Sequence, residues 1–316
     1  MTDSDITLRV SHVTKRFGDF TAVDDLSFEV RRGRVFGFLG PNGAGKTTTI
    51  RMIVGITVPD EGTIEYGFDN YEGRRTNDES ATEIRHSFMD RIGYLPEERG
   101  LYKKLKIVDQ LRYFAALKNV PASEVDKRID FWLKRMGLAE WKNKKTTDLS
   151  KGMQQKIQFI STVLHDPDLL ILDEPFSGLD PVNVEFMIEL LAEFRTKDKT
   201  IMFSTHQMET AERLCRDILL INKAKKVVGG SLREVKEAYG KNLIALRASG
   251  SDGVLNDPSL VAKTVEHADE MEVHLAPGAD AQELLKRLIS TGAVVTKFEQ
   301  IEPSLNDIFI EKVTSQ

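Results

Sequence analysis

Apolar and polar residues alternate at the start of the sequence and then give way to unbroken apolar runs. The segments ITLRVSHVTKRF and FTAVDDLSFEVRRG show the alternation that is typical of short antiparallel strands. VFGFL at 35–39 has no polar side chain and predicts a buried strand. A glycine-rich turn follows it and leads into TTTIRMIVGI, which has helical spacing. This order predicts a strand, a glycine loop and a helix.

Further apolar runs alternate with a helical pattern in the second half of the chain. DLLILD at 168–173, TIMFST at 200–205 and DILLIN at 217–222 predict strands, and the first two flank the helical pattern VNVEFMIELLAEFR. Strands that alternate with helices favour a parallel sheet covered by helices on both faces. We therefore expect an α/β domain.

Two stretches interrupt this alternation. Residues 67–90 begin polar and charged, which predicts an exposed insertion that ends near a strand, RIGYL. Residues 107–137 have helical apolar spacing broken at NVPAS, which predicts a helical hairpin or bundle.

The pattern changes after the GGS stretch at 229–231. The segments LIALRA, MEVHLA and AVVTKFEQI predict strands, and AQELLKRLI and SLNDIFIEKV predict helices. We expect a small separate α+β domain at 231–316, following a larger domain at 1–230.

Composition fits this division and indicates where the protein works. The 316 residues are 41% hydrophobic and 29% charged, as in an ordinary soluble protein. The single cysteine, Cys215, excludes an intramolecular disulfide and is most simply a core residue, and no secretion leader opens the sequence, so we expect a cytoplasmic protein. Its apolar runs are far shorter than the roughly 20 residues of a bilayer span. If the protein works at a membrane, another chain supplies the crossing.

Charge is unevenly distributed. Residues 231–316 carry 9 Lys/Arg and 14 Asp/Glu, whereas residues 103–156 carry 14 Lys/Arg and 6 Asp/Glu. The basic segment is either a set of solvated helix faces or a face attracted to anionic lipid or an acidic partner.

The glycine loop carries the first chemical motif. GPNGAGKTT satisfies the pattern G-x-x-x-x-G-K-[ST] between a strand and a helix, where the alternative of an ordinary glycine turn is least favoured. Its backbone amides and helix N-terminus suit phosphate oxygens, Lys46 suits the β- and γ-phosphates, and the Thr47 hydroxyl suits Mg²⁺. The predicted nucleotide-binding residues here are Gly40, Pro41, Asn42, Gly43, Ala44, Gly45, Lys46, Thr47 and Thr48.

LLILDEP at 169–175 ends a buried strand with two carboxylates, at the sheet edge where ligands of open α/β sheets bind. Asp173 suits Mg²⁺ or its water, and Glu174 suits a general base that polarises an attacking water. A helix-capping turn into Pro175 is the structural alternative.

At this point the residues resemble the ATP-binding subunits of ABC transporters, over residues 8–230. LSKGMQQK at 149–156 resembles the family's signature motif, with Lys151 and Met153 departing from the usual glycine and glutamine, and SGLD at 177–180 resembles its D-loop. FSTH ends in His206, which resembles the switch histidine that hydrogen-bonds the γ-phosphate or the attacking water. Phe17 falls where the family stacks a ring on adenine, and Phe20 is close enough to compete.

The resemblance implies a P-loop NTPase core of the ABC ATPase type, with an antiparallel β subdomain and an inserted helical subdomain at about 103–165. It also implies Mg²⁺ and a head-to-tail homodimer with two ATP molecules sandwiched between subunits. Ser150 and Gly152 then meet the nucleotide of the other subunit, and Asp180 crosses the interface. The helical subdomain then receives a coupling helix from a multispanning membrane permease, so the ATPase lies on the inner face of the cell membrane.

The stretch GYLPEERGLY departs from the family at one informative position. In most members a glutamine that senses Mg²⁺ and the γ-phosphate follows the strand, and Glu97 stands there. A carboxylate is a harder ligand for that metal than an amide is. Glu98 and Arg99 either face the permease groove or form a solvated turn.

Residues 231–316 resemble the C-terminal extension of ABC-2 type exporter ATPases, notably in PSLNDIFIEKV. Its role is either packing and dimer stabilisation or regulation and substrate sensing. We therefore expect an ATP-hydrolysing subunit that powers a separate permease, for export. The alternative is a soluble mechanical ATPase of the same superfamily that acts on ribosomes or nucleic acid, although the chain has one motif set and no sustained heptads. A phosphate-loop kinase has no need of LSKGMQQK or SGLD.

Overall fold

The structure, a computed structural model, describes residues 5–68, 89–98, 100–239, 242–266 and 270–314. The chain divides into two compact units, Met1–Leu232 and Arg233–Gln316. The polar insertion predicted at 67–90 lies almost wholly outside the described residues, and Arg99 lies outside them too.

The first unit contains a three-stranded antiparallel sheet. Strands β1 (Ile6–Phe17) and β2 (Phe20–Arg31) form the hairpin that their alternating pattern predicts, and a later strand, β4 (Glu61–Tyr66), pairs with the other edge of β1. The sequence analysis missed β4, because EGTIEY alternates over only six residues and holds an interior glycine, which weakens a strand signal.

A six-stranded sheet forms the centre of the first unit, in the order β5-β6-β7-β3-β8-β9. The first five strands in that order are parallel, and their apolar runs predicted them. The last strand was missed because its sequence, KKVVGGS, mixes lysines with glycines, and it pairs antiparallel with β8. The strands are β3 (Val35–Leu39), β5 (Ile92–Leu95), β6 (Leu169–Asp173), β7 (Thr200–Thr205), β8 (Asp217–Asn222) and β9 (Lys225–Ser231).

The two sheets share one apolar core. The Phe28 ring of β2 stacks at 5.5 Å on Phe36 and at 5.7 Å on Phe38, both of which belong to β3. Cys215 is buried with a free thiol, as predicted for a core residue. Helices α1 (Lys46–Ile53), α5 (Pro181–Thr196) and α6 (Met208–Leu214) complete this α/β part.

The helical segment lies between β5 and β6 in the chain. It contains α2 (Ile107–Leu117), α3 (Ala122–Arg135), which confirms the predicted hairpin broken at NVPAS, and α4 (Lys151–Val163). Short 3₁₀ turns occupy Ala139–Trp141 and Thr146–Asp148. Several cations of this basic segment pair with carboxylates, including Arg112 with Asp126 at 2.8 Å and Lys142 with Asp130 at 2.5 Å. This pairing favours solvated helix faces for that part of the basic charge.

None of the helices in the described part of the chain combines the length and apolar character needed to cross a bilayer.

The second unit is an antiparallel sheet with helices. The sheet has the order β11-β12-β10-β13, and the predicted strands β10, β12 and β13 are joined by β11, which the sequence analysis missed. Its elements are α7 (Leu232–Ala238), β10 (Leu243–Ser249), α8 (Asp252–Leu255), β11 (Val261–Glu266), β12 (Met271–Leu275), α9 (Ala281–Ser290), β13 (Val294–Ile301) and α10 (Leu305–Thr314). Leu284 and Leu288 of α9 pack into the sheet core beside Ile244, Leu246 and Val273.

We expect Leu284→Ala to lower the free energy of unfolding of the second unit by about 2–5 kcal/mol, because it leaves a cavity in that core. Chemical denaturation followed by circular dichroism measures the change. The matched control is Ile289→Ala on the same helix, where the side chain is 62% exposed and the expected loss is below about 0.5 kcal/mol. Equal losses in the two variants would contradict the assignment of this core.

Candidate nucleotide site

The phosphate-loop sequence forms a tight turn between β3 and α1. At Gly45 an added Cβ would lie 2.4 Å from the Ala22 carbonyl oxygen, and at Gly40 it would lie 2.3 Å from the Ile221 carbonyl oxygen. Any side chain at either position would therefore push the loop off its neighbours. The N-terminus of α1 opens at Lys46, so its free amides and its dipole face the loop.

A cavity of about 400 Å³ lies against this loop. It brings together four residues that the sequence marks from three different segments, namely Lys46, Thr47, Glu97 and Glu174. Pro41 and Ala44 shape the loop without lining the cavity. The full lining is Phe20, Ala22, Asn42, Gly43, Gly45, Lys46, Thr47, Thr48, Glu97 and Glu174.

Lys46 is the buried cation of the site, with only 6% of its side chain exposed. Its ammonium donates to the carbonyl oxygens of Gly40 at 2.8 Å and Pro41 at 3.2 Å, and it lies 3.4 Å from Glu174 Oε1. A buried ammonium needs such partners because desolvation of an unpaired charge is strongly unfavourable. The same arrangement aims a positive charge at the loop.

Asp173 is the more deeply buried of the two acids of the site. Burial raises the pKa of Asp173, and the charge of Glu174 adds to this shift, while hydrogen bonds from the Ser204 and Thr47 hydroxyls oppose it. Ser204 donates to Asp173 Oδ1. The other oxygen, Oδ2, is buried and has no hydrogen-bond partner among the described residues.

This unpartnered oxygen, on a carboxylate that also contacts the Thr47 hydroxyl, fits a divalent cation. Carboxylate and hydroxyl oxygens are the ligands that Mg²⁺ prefers, and Mg²⁺ usually takes one or two carboxylates together with substrate phosphates. The described residues contain no group of three or more His, Cys, Asp or Glu side chains arranged to hold a metal by themselves. The chemistry of Thr47 and Asp173 therefore fits Mg²⁺ that shares its ligands with a phosphate.

Glu174 has an unusual backbone conformation. Its φ of +49° lies in the left-handed region, which disfavours every residue except glycine. Its amide donates to the hydroxyl and to the carbonyl oxygen of Ser204, at 3.1 and 3.2 Å, and only 7% of its side chain is exposed. Neighbouring structure thus holds this strained turn, as is common at functional sites.

His206 follows β7 at the same sheet edge, as predicted. Its Nδ1 lies 3.1 Å from both carboxylate oxygens of Glu174, within reach to donate a hydrogen bond to them. The ring is half exposed, so its other nitrogen is free to meet a ligand. The structure thus joins the two residues that the sequence marks as base and switch.

The two candidate adenine-stacking rings lie at the turn of the β1–β2 hairpin. Both are exposed, Phe17 by 54% and Phe20 by 63%. Phe20 lines the nucleotide cavity, whereas the Phe17 ring lies 5.5 Å from the Lys15 ammonium. The structure therefore brings Phe20 closer to the loop, and stacking by Phe17 stays a prediction.

The signature residues lie outside the cavity of their own chain. Ser150 caps α4, and its hydroxyl accepts a hydrogen bond from the Met153 amide at 3.3 Å. A Cβ added at Gly152 would meet only Leu179, at 3.9 Å. This exposed helix start leaves room for an anion from another molecule.

Asp180 has a local role that the sequence analysis missed. Its carboxylate caps α5, accepting from the amide of Asn183 at 3.0 Å and from its side chain at 2.5 Å, and these bonds lower the pKa of Asp180. An aspartate followed by proline at the first helical position is the signal that predicts this cap.

Two further residues around the carboxylates were also missed. Ser204 contacts both Asp173 and Glu174, and the only signal was its place in FSTH. Tyr94 lies near Asp173 and Arg51, and its burial, helped by the charge of Asp173, raises its pKa to about 12. Its partners come from distant segments, so spacing along the chain gives no sign of them.

A second cavity, of about 320 Å³, lies between the parallel sheet and the helical segment. We call it the helical groove. Its walls are mainly apolar and include Ile56, Leu101, Phe114 and Leu117. Glu98 is exposed and lies outside the residues that line this groove.

Two basic residues, Lys118 and His165, line the helical groove and are partly buried. The Lys118 ammonium donates to the carbonyl oxygens of Met89 and Ile92, and burial lowers its pKa. His165 Nε2 donates to the Ile92 carbonyl oxygen at 3.1 Å. Burial and the Lys118 charge lower the pKa of His165 to about 4, so the ring is neutral at pH 7.

Comparisons with known proteins agree with this geometry. Residues 23–177 match the family described as ABC transporter, and residues 230–313 match the family described as ATP-binding protein DrrA1-3-like, C-terminal domain. A shorter match, at residues 145–212, is to an AAA domain described as a putative AbiEii toxin of a type IV toxin–antitoxin system.

Relatives match along most of the chain. The ABC transporter ATP-binding protein YhaQ of Bacillus subtilis is 45% identical, over 97% of this chain and 98% of its own length. The Nod factor export ATP-binding protein I of Ralstonia nicotianae is 34% identical, over 86% of this chain and 88% of its own. Among solved structures, an ATP-binding subunit of an ABC transporter superposes with a TM-score of 0.66 at 29% identity, covering 74% of this chain and 93% of that one.

We expect His165 to make stability depend on pH between about 6.5 and 4. The unfolded chain binds a proton to this histidine near pH 6.5 while the folded chain excludes it until about pH 4, so stability falls as the pH drops through this window. His165→Gln keeps a side-chain N–H but does not titrate. Between pH 6.5 and 4, the free energy of unfolding in urea should therefore fall further for the parent chain than for His165→Gln, by at most about 3 kcal/mol.

The control for this measurement is the same pair of proteins between pH 7.5 and 8.5, where the difference between them should stay constant. If the free energy of unfolding falls equally in the parent chain and the variant as the pH is lowered, the burial of a neutral His165 is contradicted.

Proposed function

Because the chain belongs to the family of ABC transporter ATP-binding proteins, which are transport-coupled ATPases, we propose that it pairs with a second copy of itself on ATP and drives a separate export permease. The observation that carries the chemistry is the convergence of the Lys46 ammonium, the Glu174 carboxylate and the His206 ring at one phosphate loop. Export is supported by the likeness to proteins named for Nod factor export.

Lys46 and the loop amides bind and orient the phosphates. The ammonium already lies beside carbonyl oxygens and Glu174, so it holds its position without reorganising the loop. Glu174 takes a proton from the attacking water, since its carboxylate faces the same cavity. His206 orients that carboxylate through Nδ1 and presents its other nitrogen to the γ-phosphate.

Thr47 and Asp173 hold Mg²⁺, with Glu97 as a further carboxylate at the cavity wall. The ion supplies charge neutralisation for the phosphates when it is bound. Glu97 also brings a negative charge towards those phosphates, so binding of the nucleotide is more tightly linked to the ion than with a neutral amide.

The dimer explains why the signature residues lie outside the cavity of their own chain. Ser150 and Gly152, at the start of α4, supply amides and a hydroxyl to the γ-phosphate bound by the partner. Asp180, which caps α5 in the loop after the acidic pair, lies at the subunit interface. Each of the two sites then needs residues from both copies.

The helical groove receives a helix of the permease. Its apolar walls and the exposed apolar side chains Ile56, Tyr102 and Leu117 fit an amphipathic helix. The permease supplies the membrane crossing, so the ATPase is peripheral on the inner face of the cell membrane.

Glu174→Gln should retain ATP binding and dimerise stably, while hydrolysis falls by about 100-fold or more, because the amide cannot take a proton from water. Phosphate release measures the rate, and gel filtration with ATP measures the dimer. The control is Glu189→Gln, which changes an exposed glutamate of α5. A rate of hydrolysis by Glu174→Gln close to the parental rate would contradict the assignment of Glu174 as the general base.

Glu97→Gln should make hydrolysis depend less steeply on Mg²⁺ concentration, because it removes the carboxylate that both binds the ion and repels the phosphates. Titration of Mg²⁺ at saturating ATP measures the slope and midpoint. The matched control is Glu98→Gln, one residue further along and outside the cavity wall. If the Glu97→Gln curve overlays the parental one, the Glu97 side chain does not reach the ion.

A further inference from the structure

Helix α4 carries a row of polar side chains on one buried face. Gln155, Gln158 and Thr162 are spaced three and four residues apart, which puts them on the same side of the helix. All three are buried. Gln155 and Gln158 each donate a hydrogen bond to a backbone carbonyl oxygen beyond the helix, and the Thr162 hydroxyl lies within reach of another. We call this set the polar row of α4.

The acceptors of the polar row lie at the ends of β5 and β6. Gln155 Nε2 donates to the Pro175 carbonyl oxygen at 3.4 Å, just after Glu174. Thr162 Oγ1 lies 3.3 Å from the Tyr94 carbonyl oxygen of β5, but its one proton has a closer acceptor in the Gln158 carbonyl oxygen of its own helix, at 3.0 Å. Through Gln155 and Gln158, the helix that starts at the signature motif is therefore hydrogen-bonded to the loops that carry the site carboxylates.

Gln158 makes the most specific of these contacts. Its Nε2 donates to the carbonyl oxygens of Pro96 at 3.0 Å and of Glu98 at 3.1 Å. These two carbonyls belong to the residues immediately before and after Glu97. One side-chain amide thus holds the backbone on both sides of that carboxylate.

Stability alone does not explain a glutamine here. Gln158 is only 3% exposed, and its Oε1 is buried without a hydrogen-bond partner among the described residues. A buried carbonyl without a partner is unfavourable, and an apolar side chain of the same length avoids that loss. The amide is therefore best explained by what its N–H groups hold.

We propose that Gln158 is a positioning residue that couples the Glu97 loop to the signature helix, an inference that rests on the proposed function. Gln158 lies eight residues, or about 12 Å, along α4 from Ser150. A shift of α4 moves Gln158 and Ser150 together, because a helix transmits displacement along its axis. Contact of the signature motif with a partner's nucleotide then changes the position of Glu97 in the chain's own site.

The test compares two buried glutamines of the helical segment. Gln158→Met keeps the length of the side chain and removes its hydrogen bonds. Gln110→Met is the matched control, since Gln110 is fully buried, donates to Thr146 Oγ1 at 2.6 Å, and also has an unpartnered Oε1. Gln110 makes no described contact with the Glu97 loop. Gln158→Ala replaces Gln158→Met if the latter is insoluble.

The first readout is loop mobility in the full chain without nucleotide. A spin label on Glu98→Cys reports it, because the Glu98 side chain is exposed and the native thiol of Cys215 is buried. Labelling of the parent chain without Glu98→Cys gives the background. We expect Gln158→Met to increase the motion of the label and so to narrow the lines of its electron paramagnetic resonance spectrum. Gln110→Met should leave the spectrum unchanged. An unchanged spectrum in Gln158→Met, or equal changes in both variants, overturns the proposal.

The second readout is the Mg²⁺ titration of hydrolysis in the same variants without the label. We expect the half-maximal Mg²⁺ concentration of Gln158→Met to rise severalfold while the rate at saturating Mg²⁺ stays within about twofold of the parental rate. A parental Mg²⁺ midpoint in Gln158→Met contradicts the coupling to Glu97. If the parent chain hydrolyses no ATP, the proposed function fails, and the spin label still decides whether Gln158 holds the loop.

Discussion

The structure depends on the burial of two neighbouring carboxylates, Asp173 and Glu174, at the end of a central strand. Like charges this close are unfavourable in a weakly polar interior, and Lys46 supplies the opposing charge to Glu174 at 3.4 Å. The hydroxyl of Ser204 holds Asp173 and the Glu174 amide from the next strand. These contacts form only when β3, β6 and β7 lie side by side in register. The charges of the site are therefore balanced only if the strands have this order.

Helix α4 links the other parts of the first unit to this charged centre. Ser150 caps its exposed start, the polar row contacts the loops after β5 and β6, and His165, two residues beyond the end of the helix, lines the helical groove. The helix that borders the groove is therefore connected to the loops of the carboxylates by hydrogen bonds as well as by apolar packing. Hydrogen bonds have preferred directions, so they fix the relative positions of the helix and the loops more precisely than apolar packing does.

Sequence predicted most of the first unit and the main site residues, because those signals are local. The parallel strands are continuous apolar runs, and the phosphate loop is a contiguous motif between strand and helix. Ser204, Tyr94 and Gln158 could not be predicted, since their partners are 30 to 79 residues away in sequence and meet them only after the sheet forms. β9 and β11 were missed because an edge strand takes much of its stability from its neighbour rather than from its own side chains.

The left-handed backbone at Glu174 and its ion pair act in opposite directions on the stability of the fold. Glycine at that position would relieve about 1–2 kcal/mol of conformational strain, but it would also remove the carboxylate that lies 3.4 Å from the buried Lys46 ammonium. Removing one partner of a buried ion pair costs about 3–5 kcal/mol, so the loss of this contact outweighs the relief of strain.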